Sequence, residues 1–194
     1  MRRAHPIEVE SYRRLRELVD LSHLGSLSQA VAERVIHASA DLEYADTLAL
    51  DETALWGGFE ALRRGAPVVA DVGMVAAGIT AHEVLCLVSD PRAKEVSEDL
   101  GTTRAAAGFR VAAEEVRSGA VWVVGNAPTA LFELLEMDVE PALVVGLPVG
   151  FVGAAEAKEH LIRSGLPAVT NRGPKGGSAV AAAALNALLY FEEG

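Results

Sequence analysis

The chemistry available to this chain rests on five histidines, one cysteine and several Gly-rich turns. His37, in the stretch Arg34-Val35-Ile36-His37, is the first residue of interest. An unperturbed imidazole titrates near pH ~6.5, so it can lend and recover a proton close to neutrality. Arg34 stands three residues earlier and shares about one helical face with it, if the helix continues that far. Read alone, His37 is better explained as a core or helix-end histidine satisfied by a backbone carbonyl. His5 and His23 fall in the N-terminal segment, His82 and His160 near loop or surface-helix positions, and all four read as solvated. Cys86 sits in the apolar run Glu83 to Val88 and reads as a buried structural thiol. A lone cysteine excludes an internal disulfide and a Cys-rich zinc site, and no His/Cys/Asp cluster argues for a metal held by the protein.

The elements that must position these residues follow from periodicity and punctuation. A first helix is expected from about Ile7 to Asp20. A second begins near Ser26, where Ser26-Leu27-Ser28-Gln29 has capping-box form, and runs toward His37. A third follows Asp51 and stops at Gly65. From Pro67 onward, short Val-rich runs (67–70, 84–88, 120–124, 142–145, 168–170) alternate with helix signals. Asp90-Pro91 marks a helix start, Gly119 and Gly165 mark stops, and Ser178 precedes a long Ala/Leu segment. This alternation implies right-handed βαβ units. The expected fold is α/β: a three-layer sandwich with a mostly parallel central sheet, preceded by an all-helical N-terminal segment. No repeat or linker divides the chain, so a single domain is expected over residues 1–194.

In such sheets ligands bind beyond the carboxyl ends of the strands. The informative residues are therefore those after each strand: Asp71-Val72-Gly73-Met74, Ser89-Asp90, Gly125 to Thr129, Gly146 to Phe151, and Asn171 to Ser178. Arg172 and Lys175 flank the last Gly-rich turn, and Asn126 and Thr129 can bind a carboxylate or cap their own helix. Lys158 and Arg163 read as solvated surface cations. The net charge of −10 repels nucleic acid and anionic membranes, so neither is an expected partner. No apolar h-region follows the N-terminal Arg2-Arg3, and no uncharged apolar run is long enough to span a bilayer. A cytoplasmic location is expected.

Several of these segments, in this order, resemble the precorrin-8X methylmutase (cobalt-precorrin-8 methylmutase) family. They are Arg34 through Asp41, Asp71 through Met74, Thr103-Arg104, Gly125-Asn126-Ala127-Pro128-Thr129-Ala130-Leu131, Pro148 through Ala154, and Lys175-Gly176-Gly177-Ser178 with Asn186 through Leu189. Ser11-Tyr12 adds a weaker echo, and the resemblance covers nearly the whole chain. Two departures stand out. Ala40 occupies a position where the family commonly has Gly, and Arg172-Gly173-Pro174 fills the approach to Lys175 where an Arg often lies closer.

The resemblance implies an isomerase of cobalamin (vitamin B12) biosynthesis. Its reaction moves a methyl group from carbon 11 to carbon 12 of precorrin-8X, or of cobalt-precorrin-8, giving hydrogenobyrinate or cobyrinate. The formal step is a suprafacial [1,5]-sigmatropic shift, which needs no redox cofactor, methyl donor or covalent nucleophile. The implied catalytic acid is His37. The implied substrate-binding residues are Ser11, Arg34, Asp71, Met74, Thr103, Arg104, Asn126, Thr129, Arg172 and Lys175. The substrate carries several carboxylates, which suit Arg forks and helix N-termini. The small helix body Ala105 to Gly108 lets a flat ligand approach. The resemblance also implies a homodimer, a tetrapyrrole substrate, a corrinoid product, and cobalt only as part of the ligand.

Two rival readings compete. A nucleotide-binding Rossmann-like enzyme fits the architecture, but no Gly-x-Gly-x-x-Gly follows the first strand, and Gly173 to Ser178 lacks Walker A spacing. A non-catalytic tetrapyrrole-binding protein differs from an enzyme at His37.

Overall fold

Strands buried on both faces need helices on both sides of the sheet, and the Val-rich runs after Pro67 are arranged in that way. The computed structural model describes residues 5–116 and 118–192. Along the chain lie α1 (Pro6–Leu18), α2 (Ser26–Ser39), α3 (Tyr44–Thr47), β1 (Leu48–Leu50), α4 (Glu52–Arg63), β2 (Val68–Ala70), α5 (Gly73–Gly78) and β3 (Val84–Leu85). They are followed by α6 (Pro91–Leu100), α7 (Arg104–Val116), β4 (Val121–Val124), α8 (Pro128–Glu136), β5 (Leu143–Gly146), α9 (Ala154–Ser164), β6 (Ala168–Asn171) and α10 (Ser178–Leu189). The strands form one sheet in the order β1-β6-β5-β4-β2-β3. All neighbours are parallel except β1, which runs antiparallel to β6 and pairs Leu48 with Asn171.

Side chains alternate across the pleat, so each central strand feeds two cores. Val121 and Val123 of β4 join the core built with α2, α4 and α10, while Trp122 and Val124 join the core built with α7, α8 and α9. Trp122 is fully buried and meets Phe109 edge to face, with ring centroids 4.8 Å apart. The result is the expected three-layer α/β sandwich.

Most boundaries follow their predicted punctuation. Asp51 caps α4 by accepting from the Thr53 and Ala54 amides, Asp90 caps α6, and Gly165 ends α9 in the left-handed region. Three expectations are corrected. The N-terminal segment is not all helical, because it contributes the edge strand β1. The run at 84–88 pairs only through Val84 and Leu85. The Ser26–Gln29 capping box does not form, since Gly25 is the N-cap of α2. Glu52 caps that helix from outside, accepting from the Leu27 amide at 3.1 Å, the Ser28 amide at 2.8 Å and the Ser28 hydroxyl at 2.6 Å. Cys86 is only partly buried, and that burial raises its thiol pKa.

Candidate active site

His37 lies in the last turn of α2 and is exposed. The Ser11 hydroxyl of α1 shares a 2.9 Å hydrogen bond with His37 Nδ1. The Tyr12 ring stacks on the imidazole, with centroids 4.7 Å apart and planes 16° from parallel. One face and one nitrogen are thereby fixed, while Nε2 has no partner among the described residues. Burial raises the Tyr12 pKa, so its ring stays neutral beside the histidine. Arg34, one turn back on α2, places its guanidinium 5.1 Å from the centre of the Tyr190 ring. Tyr190 is itself held by a 2.8 Å bond between its hydroxyl and that of Thr80. Arg34 has no carboxylate partner among the described residues, so its charge is available to an anionic ligand.

The strand-end turns form a second group. Asp71, just after β2, is 1% exposed and accepts from the amides of Gly125 (3.2 Å), Asn126 (2.8 Å) and Ala127 (2.8 Å). Its carboxylate is thus committed to the β4–α8 turn. This corrects its expected role as a substrate contact: burial, which also raises its pKa, puts it out of reach, and it shapes the loop that carries Asn126. Thr103 caps α7 by accepting from the Ala106 amide, and its hydroxyl bonds that of Thr129 at 2.7 Å. Thr129 therefore links α7 to α8 and does not cap its own helix. Arg104, Asn126 and Met74 are exposed at the starts of α7, α8 and α5, and Met74 is 68% exposed. A side chain at Gly125 would run into Val75, Ala181 and the Ser178 backbone, so this turn rests directly on the first residue of α10.

The third group is the turn between β6 and α10. Lys175 pairs with Asp41 at 2.6 Å and Glu43 at 2.8 Å, joining the turn to the segment just beyond His37. These carboxylates raise the Lys175 pKa, and Lys175 in turn lowers that of Asp41. Arg172 pairs with Glu159 of α9 at 2.7 Å. The turn is pressed against the loop after β5, with Gly177 N–H donating to the Leu147 carbonyl (2.9 Å) and Gly150 N–H to the Pro174 carbonyl (3.1 Å). Gly176 is required there, because a Cβ would strike the Leu147 and Pro148 carbonyls. No side chain caps α10, and the buried Ser178 hydroxyl has no hydrogen-bond partner among the described residues. Lys158 corrects its reading as a surface cation. It is 0% exposed, and its signal was in the helical spacing of Ala154, Ala157, Lys158 and Leu161, which puts it on the buried face of α9.

Comparison with known proteins gives the family. The precorrin-8X methylmutase family model matches residues 6–191. The chain belongs to that family. It is 39% identical to the cobalt-precorrin-8 methylmutase of Methanocaldococcus jannaschii, over 88% of this chain and 83% of that protein. It is 41% identical to the precorrin-8X methylmutase of Pseudomonas aeruginosa, over 95% and 94% of the two chains. The crystal structure of precorrin-8X methylmutase from Thermus thermophilus superposes with a TM-score of 0.85 at 37% identity, covering 94% of this chain and 93% of that one. The likeness therefore extends over the layered sheet and the helices that carry the three groups. In this member of the precorrin-8X methylmutase family, sequence reasoning placed Arg34 and His37 together on α2 but missed the Tyr12 stack and the burial of Lys158. It also named Ser11 as a substrate contact, whereas its hydroxyl bonds the histidine.

Proposed function

We propose that this chain is an isomerase of cobalamin biosynthesis that moves a methyl group from carbon 11 to carbon 12 of precorrin-8X or cobalt-precorrin-8. The whole of residues 1–194 is taken as one methylmutase-like domain. The observation that carries the reading is the state of His37: Nδ1 bonded to Ser11, one ring face covered by Tyr12, and Nε2 without a partner among the described residues. An imidazole held in this way can lend a proton to the rearranging part of the macrocycle and take it back. The step balances within the substrate. The carbon 11–methyl bond breaks, the carbon 12–methyl bond forms, and the ring π bonds shift to match. The protein has to hold a bulky polyanion in one tautomer and suppress competing acid-catalysed paths.

Arg34 and Arg104, which have no carboxylate partner among the described residues, are assigned to the substrate carboxylates. Asn126 and the uncapped N-terminus of α10 are assigned there too. Arg172 and Lys175 are already paired, so their proposed contribution is a positive rim that exchanges or shares its acidic partners. A cytoplasmic homodimer completes the proposal. The loop after β5 supports the dimer, because Phe151 is 98% exposed and Val152 88% exposed.

Both substrate forms should be incubated with the pure protein and followed by their visible spectra. His37→Ala is expected to keep corrinoid binding and lose conversion by at least about 100-fold, the scale of a lost general acid. Unchanged turnover in that variant would reject the role of His37. Tight nucleotide binding with no corrinoid binding would reject the isomerase reading.

A further inference from the structure

The β6–α10 turn rests on a lysine that the reaction itself does not use. Lys158 Nζ donates to Asn171 Oδ1 at 3.0 Å and to the Lys175 carbonyl at 2.5 Å. Asn171, also 0% exposed, donates its amide to the carbonyls of Arg172 (3.1 Å) and Lys175 (3.0 Å). Both turn cations are therefore fastened through their backbones to one buried pair. No carboxylate lies within ion-pair reach of Lys158 among the described residues. A charge buried without a counter-ion costs stability, and two neutral acceptors do not repay it in full. A leucine or methionine would fill the same space at lower cost.

We propose that Lys158 is a positioning residue of the substrate-anion site: it fastens the Arg172–Gly177 turn and places a positive charge behind it. The proposal rests on the functional reading above, in which this turn faces the carboxylates of the tetrapyrrole. The Lys175 carbonyl belongs to the same peptide as the Gly176 N–H, so a cation on that carbonyl makes the N–H a stronger donor. It also adds to the field at the N-terminus of α10.

The surroundings leave this charge free to titrate alone. Burial lowers the Lys158 pKa to about 8. On its own helix Glu159 is paired with Arg172, and Glu156, His160 and Arg163 are exposed, with Arg163 Nε donating to the Glu159 carbonyl. On the adjoining α8, Glu133 is paired with Arg110 and Glu136 is exposed. In the turn, the Lys175 ammonium is held by Asp41 and Glu43. The amine retains two N–H groups after losing its proton, so raising the pH removes the charge while leaving both hydrogen bonds possible.

Two opposite pH trends follow. The folded-state pKa lies below the unfolded value for lysine, so the unfolded chain binds more protons between about pH 8 and the ordinary value of 10.5. This group therefore makes the protein more stable as pH rises through that window, and its cost is fully present below about pH 8. Anion binding should move the other way. A residue with a merely structural role would shift stability alone.

The test titrates intact protein with hydrogenobyrinate from pH 7 to pH 9.5, by visible absorbance, alongside thermal melts at each pH. Affinity is expected to fall several-fold, on the order of 10-fold at most for one lost charged partner, while melting temperature does not fall in step. Lys158→Met is expected to bind about 10-fold more weakly at pH 7, with a raised KM, a kcat within about 2-fold, and a flattened pH profile. Should that variant not fold, the intact protein's two profiles still decide. An affinity that ignores pH over this range, or equal KM and pH profile in the variant, would overturn the inference alone. No corrinoid binding by the intact protein at any pH would overturn the functional reading, and this inference with it.

Discussion

A histidine that exchanges a proton through one ring nitrogen must be oriented through the other. In this chain the Ser11 hydroxyl does so from α1, across 26 residues of sequence, and Tyr12 beside it fixes the ring plane. Under the role proposed for His37, the serine is coupled to catalysis more than to binding. Ser11→Ala removes one orienting bond worth about 1 kcal/mol, so kcat should fall about 5- to 10-fold with KM nearly unchanged. Steady-state kinetics on the purified variant would check this. A large rise in KM with unchanged kcat would instead make Ser11 the substrate contact that the sequence alone suggested. Residues were legible in sequence where local spacing alone placed them, as it put Arg34 and His37 on one helix. They were not when the partner was distant: Lys175 meets Asp41 across 134 residues, and nothing in either segment announces the pair.

Elements were legible wherever a pattern had length. β2, β4 and β5 each show as Val-rich runs between turn residues, and α6 and α9 end at glycines with positive φ, Gly101 and Gly165. β1 was hidden because three residues, Leu48 to Leu50, are too few to show a period, and its partner β6 lies far along the chain. The N-terminus of α2 was misread for a related reason, since a capping carboxylate can come from another element, as Glu52 does. The other end of α2 carries a cost visible in both sequence and structure. Ala40 is its C-cap with φ +53 and ψ +29, and it is the one non-glycine residue with positive φ among those described. It stands where the family commonly has Gly. The left-handed region costs a residue with a Cβ about 1–2 kcal/mol, against which glycine's extra freedom in the unfolded chain sets about 0.4–1 kcal/mol. Ala40→Gly should therefore stabilise the protein by about 0.5–1 kcal/mol, raising the melting temperature by roughly 1–4 °C. Calorimetric melts of the two proteins would check it, and a lower melting temperature would show that Ala40 gains more from its contacts than it loses in strain.

At the scale of the molecule, the turn groups lie beyond the carboxyl ends of β2, β4 and β6, with His37 and Met74 open to solvent. A cavity of about 500 Å³ is lined by Phe59, Leu62, Arg63, His82 and Phe191 near the ends of α4 and α10, and His37 is not among its walls. A flat polyanionic ring laid on these open turns would keep one face in water, where protonation is hard to confine. A second wall is therefore needed, and a twofold-related copy is the partner proposed for it. In a twofold interface each residue acts twice, so an anchor's effect on dimer affinity is doubled. Phe151, 98% exposed beside Val152, is the anchor that the sequence places in the Gly-rich loop after β5. Burying one such ring is worth about 1.5–3 kcal/mol. Two copies then make Phe151→Ser weaken the dimer by roughly 100- to 10,000-fold. Sedimentation velocity at micromolar concentration should show the intact chain at twice the monomer mass and the variant as monomer, with turnover falling as the dimer dissociates. Full activity in a monomeric variant would mean that one chain closes its own site, and the exposed loop would then need another explanation.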